Sequence, residues 1–241
     1  MLNFKFMENI VLNEISGQDF GAFFKKLNWT QRATFVREHR SEIKQSSNVE
    51  ALTCLLDYGY FNALYPLVAT GENIADKYIM IYYSSPIHKF KTYPSCDEEK
   101  EILAYIAKDL ELAKFLREKT NKLWDLSSKV YFTVIVFENA SKEVMNYLVD
   151  WHSKNFVPIS FLQANAMFNV ADPDVIRKYL SKVGSICGNH GYVTYKHLKN
   201  LAQRTDIDAD EKHELLLLTV NSLKVRPEII RHLRADGLLD F

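Results

Sequence analysis

Glycine and proline are scarce in this sequence, at 8 and 6 of 241 residues. An all-β fold needs many tight turns, and turns depend largely on these two residues, so the scarcity argues against such a fold. Cysteine is rarer still, because only Cys54, Cys96 and Cys187 are present and they lie far apart. An odd, scattered set is typical of reduced thiols inside a cell, so we expect a cytoplasmic protein without disulfides.

The sequence also has no excess of charge and no long apolar run. Lys and Arg together number 30, as do Asp and Glu, so no overall field draws the chain to nucleic acid, although local patches stay possible. The longest apolar run, 130–137, is far shorter than the roughly 20 residues that span a bilayer. Because Glu8 and Glu14 interrupt the N-terminal segment, we also expect no signal peptide and no membrane contact.

Hydrophobic residues make up 47% of the chain, which is enough to fill a substantial core. Asn, Lys, Ile, Phe and Tyr are frequent, as is typical of an AT-rich genome such as that of a phage, another virus or a low-GC bacterium. If the source is viral, the expected location becomes the host cytoplasm.

Amphipathic helical patterns recur along the chain. In 141–154, Val144, Leu148 and Trp151 fall on one stripe, and Asp172 with Pro173 predicts the start of a helix that ends at Gly184. Further helices are predicted over 192–204, 208–223 and 226–237, and the longest over 95–119, where Ser95 and Glu98 form a capping box. The β-branched and aromatic stretches 77–83 and 130–137 could be strands, but short helices on either side leave them no strand partner, so both are predicted to be helical.

Short helices joined by short turns predict an all-α fold in which antiparallel helical hairpins stack as a repeat-like α-solenoid array. Residues 84–95 hold two of the prolines and no helical stripe, so they are the best candidate linker between an N-terminal helical part, 1–90, and a C-terminal helical part, 91–241. We expect the two parts to be continuous in one array.

Three short pieces resemble a known repeat family. The sequences "VEALTCLLDYG" at 49–59 and "DVIRKYLSKVG" at 174–184 resemble the second helix and terminal glycine of an ankyrin repeat, and "FVPISFLQA" at 156–164 is similar to that family's Thr-Pro-Leu-His opening. Pro158 departs from the pattern, since it follows the preceding helix too soon for the ankyrin hairpin. The resemblance implies a degenerate helical repeat of ankyrin or HEAT type.

The stretch 185–198 concentrates residues that carry chemistry. Cys187, His190 and His197 could bind zinc, but a fourth ligand is missing nearby, and Cys187 with His190 could form a thiol–imidazole pair that has no acidic partner in the sequence. The glycines at 184, 188 and 191 favour a simpler interpretation, a turn between two helices. We therefore predict no metal and no catalytic residue, with a thiol enzyme as the third functional hypothesis.

Other motifs are incomplete. The segment "HELLLL" at 213–218 lacks the second histidine of a zinc protease, since residue 217 is leucine. Asp206, Asp208 and Asp210 lack the glycine that a calcium loop needs at 211. No glycine-rich phosphate loop occurs, so no cofactor is predicted.

Two surface features remain. The C-terminal helices carry basic residues with few compensating acids, which could contact nucleic acid: Lys196, Lys199, Arg204, Arg226, Arg231 and Arg234. The chain then ends with the apolar residues Leu238, Leu239 and Phe241, which either fold back on the last helix or bind a partner's pocket. This tail is similar to the sliding-clamp-binding C-terminal peptides of phage replication and transcription proteins.

The leading functional hypothesis is a non-catalytic intracellular protein that binds another protein through stacked helices. The second is a nucleic-acid-associated helical protein that uses the basic C-terminal helices. The oligomeric state is left open.

Overall fold

A computed structural model describes residues 11–84, 97–121, 129–184, 186–187 and 195–239. This part of the chain contains fifteen α-helices, one 3₁₀ turn and one pair of two-residue strands, so the all-α prediction is confirmed. Contacts divide the chain into two compact units, Met1–Tyr105 and Ile106–Phe241. Among the described helices, none has the length and hydrophobicity needed to cross a membrane.

The helices are numbered in chain order. The first seven are α1 (Gly17–Lys26), α2 (Trp29–Glu38), α3 (Arg40–Gln45), α4 (Val49–Asp57), α5 (Leu64–Thr70), α6 (Ile74–Ser84) and α7 (Asp97–Ile106), with the 3₁₀ turn at Phe61–Ala63. The others are α8 (Leu110–Asn121), α9 (Lys129–Asn139), α10 (Lys142–Lys154), α11 (Phe161–Val170), α12 (Pro173–Lys182), α13 (Tyr195–Ala202), α14 (Ala209–Ser222) and α15 (Pro227–Ala235). The ambiguous stretches 77–83 and 130–137 lie inside α6 and α9, so their prediction as helix is confirmed.

The first unit is built around an aromatic cluster. Phe20 and Phe24 on α1 and Phe35 on α2 are fully buried, with ring centroids 5.4–5.9 Å apart. Arg32 donates hydrogen bonds to the carbonyl oxygens of Phe24 and Lys25 at the end of α1. Because helix C-termini leave carbonyls without intrahelical donors, Arg32 fixes α2 against α1 while the rings fill the space between them.

The second unit has a regular contact pattern. Helix α10 contacts α8 and α12, and α12 contacts α14, while α11 contacts α9 and α13, and α13 contacts α15. Each helix therefore packs against the helix two positions along the chain. The even-numbered helices α8–α14 form one set and the odd-numbered helices α9–α15 form the other. Strand β1 (Ile159–Ser160) pairs in parallel with β2 (Ile186–Cys187). The Ile159 amide also donates to the Tyr179 hydroxyl at 2.8 Å.

The prediction of one long helix over 95–119 is wrong, because residues 107–109 interrupt the helix and separate α7 from α8. The Asp109 carboxylate accepts a hydrogen bond from the Leu112 amide at 2.9 Å and so starts a new helix, which a capping side chain favours over continuation. The freed Ala107 carbonyl accepts from the Ser141 amide at 2.9 Å. The longest described helix is instead α14, with 14 residues, and the predicted capping box at Ser95 lies outside the described residues.

Four helices of the second unit begin at regularly spaced residues. Asp109, Ser141, Asp172 and Asp208 precede α8, α10, α12 and α14 and are 32, 31 and 36 residues apart. Asp208 caps its helix as predicted, by accepting from the Glu211 amide at 2.8 Å. Asp172 precedes Pro173 as predicted, but its carboxylate does not cap: it accepts from Asn146 at 2.5 Å and pairs with Lys142 at 2.7 Å.

A buried arginine joins the ends of α11 and α13. Arg204 is 5% exposed and binds both carboxylate oxygens of Asp206, at 2.9 and 2.6 Å. It also donates to the Ala171 carbonyl at 2.6 Å. This contact holds the pKa of Asp206 well below its usual range. The guanidinium is thus used within the fold to satisfy the end of α11.

We expect Arg204→Ala to lower the free energy of unfolding by about 3 kcal/mol, because it leaves a buried carbonyl and the Asp206 carboxylate without their donor. Arg231→Ala is the matched control. Its side chain is 72% exposed and pairs with Glu228 at 3.3 Å, so we expect a loss below about 0.5 kcal/mol. Urea unfolding of both variants measures the difference, and equal losses would contradict the structural role of Arg204.

Candidate functional site

The stretch 185–198, predicted to be a turn, is described only in part. The backbone of Cys187 lies in β2, and His190 lies outside the described residues, so the thiol-enzyme hypothesis stays a prediction. His197 lies on α13, is 1% exposed, and its ring centroid is 4.5 Å from that of Phe161. Among the described residues, no three His, Cys, Asp or Glu side chains are grouped to hold a metal ion. His197 is thus packed among aromatic rings.

The predicted basic residues fall into two groups. Lys196 and Lys199 lie on α13 and Arg231 and Arg234 lie on α15, and these two helices pack together. Arg226 immediately precedes α15. Arg204, described above, is buried instead of lying on this surface.

Tyr195 connects the two basic helices. Its hydroxyl donates a hydrogen bond to Asp236, and its ring centroid is 5.3 Å from the Lys199 ammonium and 6.3 Å from the His232 ring. An aromatic ring beside cationic side chains can stack on a base or a planar group while the cations contact phosphate. Asp236 and Glu228 offset part of this positive charge.

The apolar chain end folds back at its first two residues. Gly237 has a φ of 66°, a left-handed conformation that ends α15, and the Leu238 amide then donates to the Leu233 carbonyl at 2.9 Å. Leu239 is 2% exposed. Phe241 lies outside the described residues. Leu239 therefore contributes to the fold, as one of the two predicted alternatives requires.

A second buried histidine lies near the end of α10. His152 is 6% exposed, and its Nδ1 lies 3.0 Å from the Val157 carbonyl oxygen. Its ring centroid is 5.7 Å from that of Phe137. Burial lowers the pKa of His152 to about 4, and burial likewise lowers the pKa of His197 to about 4. Both imidazoles are therefore neutral at physiological pH.

The structure also exposes an apolar residue that sequence patterns missed. Phe156, just after α10, is 69% exposed and has a φ of 52°. Leu162 on α11 is 49% exposed. In the sequence, Phe156 belongs to the segment that resembles the ankyrin opening. Its exposure could not be predicted, because a single phenylalanine after a helix gives the same sequence pattern whether it is buried or exposed.

Amide side chains line a shallow groove at the C-terminal ends of α11 and α13. It has a volume of about 330 Å³ and is lined by Asn169, Asn200, Gln203, Arg204, Thr205 and Asp206. The Asn200 side-chain amide donates to Oδ1 of Asn165 at 2.8 Å, which links α13 to α11. With Arg204 and Asp206 bound to each other, this groove offers hydrogen-bonding groups and little net charge.

Comparisons of the chain with protein-family models, with curated proteins and with solved structures give no match.

The buried histidines predict a loss of stability in mild acid. Both have a pKa lowered from 6.5 to about 4, so the folded state binds fewer protons than the unfolded state between these values. Their stabilising contribution is therefore complete above pH 6.5 and falls as the pH drops towards 4. Between pH 7.5 and 5 we expect the free energy of unfolding to fall by about 2 kcal/mol per histidine.

Urea unfolding at these two pH values, at constant ionic strength, measures this loss. A His197→Phe variant removes one of the two groups and should lose about half of the pH dependence. An unchanged pH profile in that variant would contradict the assignment.

Proposed function

We propose that residues 106–241 form a short α-solenoid of degenerate ankyrin or HEAT type, which binds another protein in the cytoplasm and has no catalytic activity of its own. The observation that supports this most directly is the contact pattern, in which each helix packs on the helix two positions along the chain. That pattern is the geometry of stacked helical hairpins, and the helix starts spaced by 32, 31 and 36 residues agree with a hairpin period.

Polar side chains fix the register between stacked helices. Lys178 on α12 donates to Asp150 on α10, and Arg177 on α12 reaches Glu211 on α14 at 3.1 Å. Arg177 also binds Glu214 at 3.0 Å. These contacts link α10, α12 and α14 in series, so polar side chains extend across all three helices. An extended surface of this kind suits a partner protein better than a small molecule.

A photo-crosslinking experiment tests this proposal. A benzophenone amino acid replaces one exposed residue on each stacked helix, Glu143 on α10, Ser181 on α12 and Asn221 on α14, and Trp29 in the first unit is the control position. After irradiation in extract of the native host, we expect one host protein to be crosslinked from at least two of the three positions and not from Trp29. The proposal fails if no protein adduct forms, or if nuclease treatment removes the adducts.

A nucleic-acid-binding function is the second candidate, and the packing of α13 on α15 favours it. This packing places Lys196 and Lys199 on a helix next to that of Arg231, with Tyr195 between them. Cationic residues on two adjacent helices beside an aromatic ring are able to contact successive phosphates and a base.

If this second candidate is correct, a fluorescent DNA duplex binds the protein at 50 mM salt, and the double variant Lys196→Glu with Arg231→Glu binds at least tenfold more weakly. The slope of log affinity against log salt should fall by about 2, one for each lost phosphate contact. Arg37→Glu with Arg40→Glu in the first unit changes the charge equally and is the control. Undetectable binding of the wild type at 50 mM salt eliminates this candidate.

A further inference from the structure

Helices α10, α12 and α14 are parallel and end at one edge of the second unit. Asn146 and Asp150 on α10 lie beside Asp172 and Lys178, respectively, so α10 and α12 run in the same direction. Arg177 on α12 contacts the first two turns of α14. At the far end, a Cβ atom added to Gly184 would lie 4.0 Å from the Ser222 carbonyl oxygen. We call this the C-terminal edge, residues 154–156, 181–184 and 221–226.

Each of these three helices ends on a residue in the left-handed region. The φ angles are 52° at Phe156, 57° at Gly184 and 50° at Lys224. After Phe156, the Val157 amide donates to the His152 carbonyl oxygen at 3.0 Å, which closes the C-terminal turn of α10. Glycine adopts this conformation without strain, whereas a side chain with a Cβ atom raises its energy. Gly184 fits its position, and an aromatic residue at 156 does not.

The Phe156 side chain does not compensate for this strain by packing, since it is 69% exposed. An aromatic side chain in water also forgoes the burial that usually accounts for its presence. A strained backbone is associated with functional sites, and at Phe156 it coincides with a large exposed aromatic side chain. The fold alone would be served better by glycine at this position.

The C-terminal edge that carries Phe156 is basic. Lys154 and Lys178 both bind Asp150, at 2.5 Å in the case of Lys154, and Lys182 and Lys224 are exposed. The residues that define this edge, 154–156, 181–184 and 221–226, include Lys154, Lys182, Lys224 and Arg226 and no aspartate or glutamate. The cations therefore outnumber the acids at this edge, so a partner that spans the edge meets positive charge.

We propose that the C-terminal edge docks an acidic segment of a partner protein, in which an apolar side chain covers Phe156 and carboxylates face Lys182 and Lys224. This inference rests on the proposed protein-binding function and specifies the chemistry of its partner. Charge complementarity selects an acidic partner. A single aromatic anchor within a polar rim is the usual form of a protein-binding hot spot, whereas membrane insertion generally uses several apolar side chains.

The test compares wild type with Phe156→Gly in the full chain. A random twelve-residue peptide library displayed on phage is selected against the wild type. We expect enriched peptides with Asp or Glu next to a large apolar residue, with affinity that falls between 50 and 300 mM salt. Phe156→Gly should bind these peptides at least tenfold more weakly, while its melting temperature rises by about 3 °C because the strain is relieved.

Two control variants separate strain from recognition. Phe156→Ser keeps a Cβ atom in the left-handed conformation but removes the aromatic ring, so it should lose peptide affinity as Phe156→Gly does, without the rise in melting temperature. Trp29→Ser removes an aromatic side chain that is 78% exposed in the first unit and should leave peptide binding unchanged.

Several outcomes would overturn the inference: no enriched peptides, enriched peptides without acidic residues, or equal affinity for Phe156→Gly. Phe156-dependent binding of a DNA duplex would assign the edge to another occupant and also overturn the inference. The same holds for Phe156-dependent binding of anionic vesicles that contain about 30% phosphatidylserine. Crosslinking of a host protein from positions 143, 181 and 221 that persists in Phe156→Gly would reject this inference and leave the proposed function intact.

Discussion

Mutual burial of short helices is the constraint on which the second unit depends. Its helices are 8–14 residues long, and isolated helices of this length are marginal in water because nucleation is unfavourable. Each is stable only when its apolar stripe is covered, and the cover comes chiefly from the helix two positions along the chain. Buried residues such as Leu148, Tyr179 and Leu215 on α10, α12 and α14 lie on these stripes. Local sequence and long-range packing therefore have to agree at every hairpin.

Several polar groups inside this packing have specific partners. Arg204 binds a carboxylate and a carbonyl, Tyr179 accepts a hydrogen bond from the Ile159 amide, and the Nδ1 of His152 lies within hydrogen-bond distance of a carbonyl. A buried polar group without a partner is costly, so each of these contacts restricts which helix ends can meet. These polar contacts fix the register between neighbouring helices, which apolar packing alone specifies only weakly.

The two ends of the parallel helices differ in character. At the N-terminal ends, Lys142 pairs with Asp172 and Arg204 donates to the Ala171 carbonyl oxygen, and these contacts tie successive hairpins together. At the C-terminal ends, a residue that follows each of the three helices has a left-handed backbone, and one of these residues, Phe156, is both strained and exposed. The N-terminal edge thus carries contacts between hairpins, while the C-terminal edge carries a strained aromatic residue that the fold does not need. Natural proteins commonly accept such local costs at sites of recognition.

Helix type and many helix starts were readable from local patterns. Apolar spacing predicted α10 and α12, Asp208 marked the start of α14, and Gly184 marked the end of α12, because these signals act within one or two turns of chain. The break before Asp109 was missed, since 95–119 keeps its apolar stripe across the turn. The burial of Arg204 and the exposure of Phe156 were not readable at all. Whether a side chain is covered depends on elements that lie 30 or so residues away, roughly one hairpin period, and only the tertiary contacts decide which of those elements arrive.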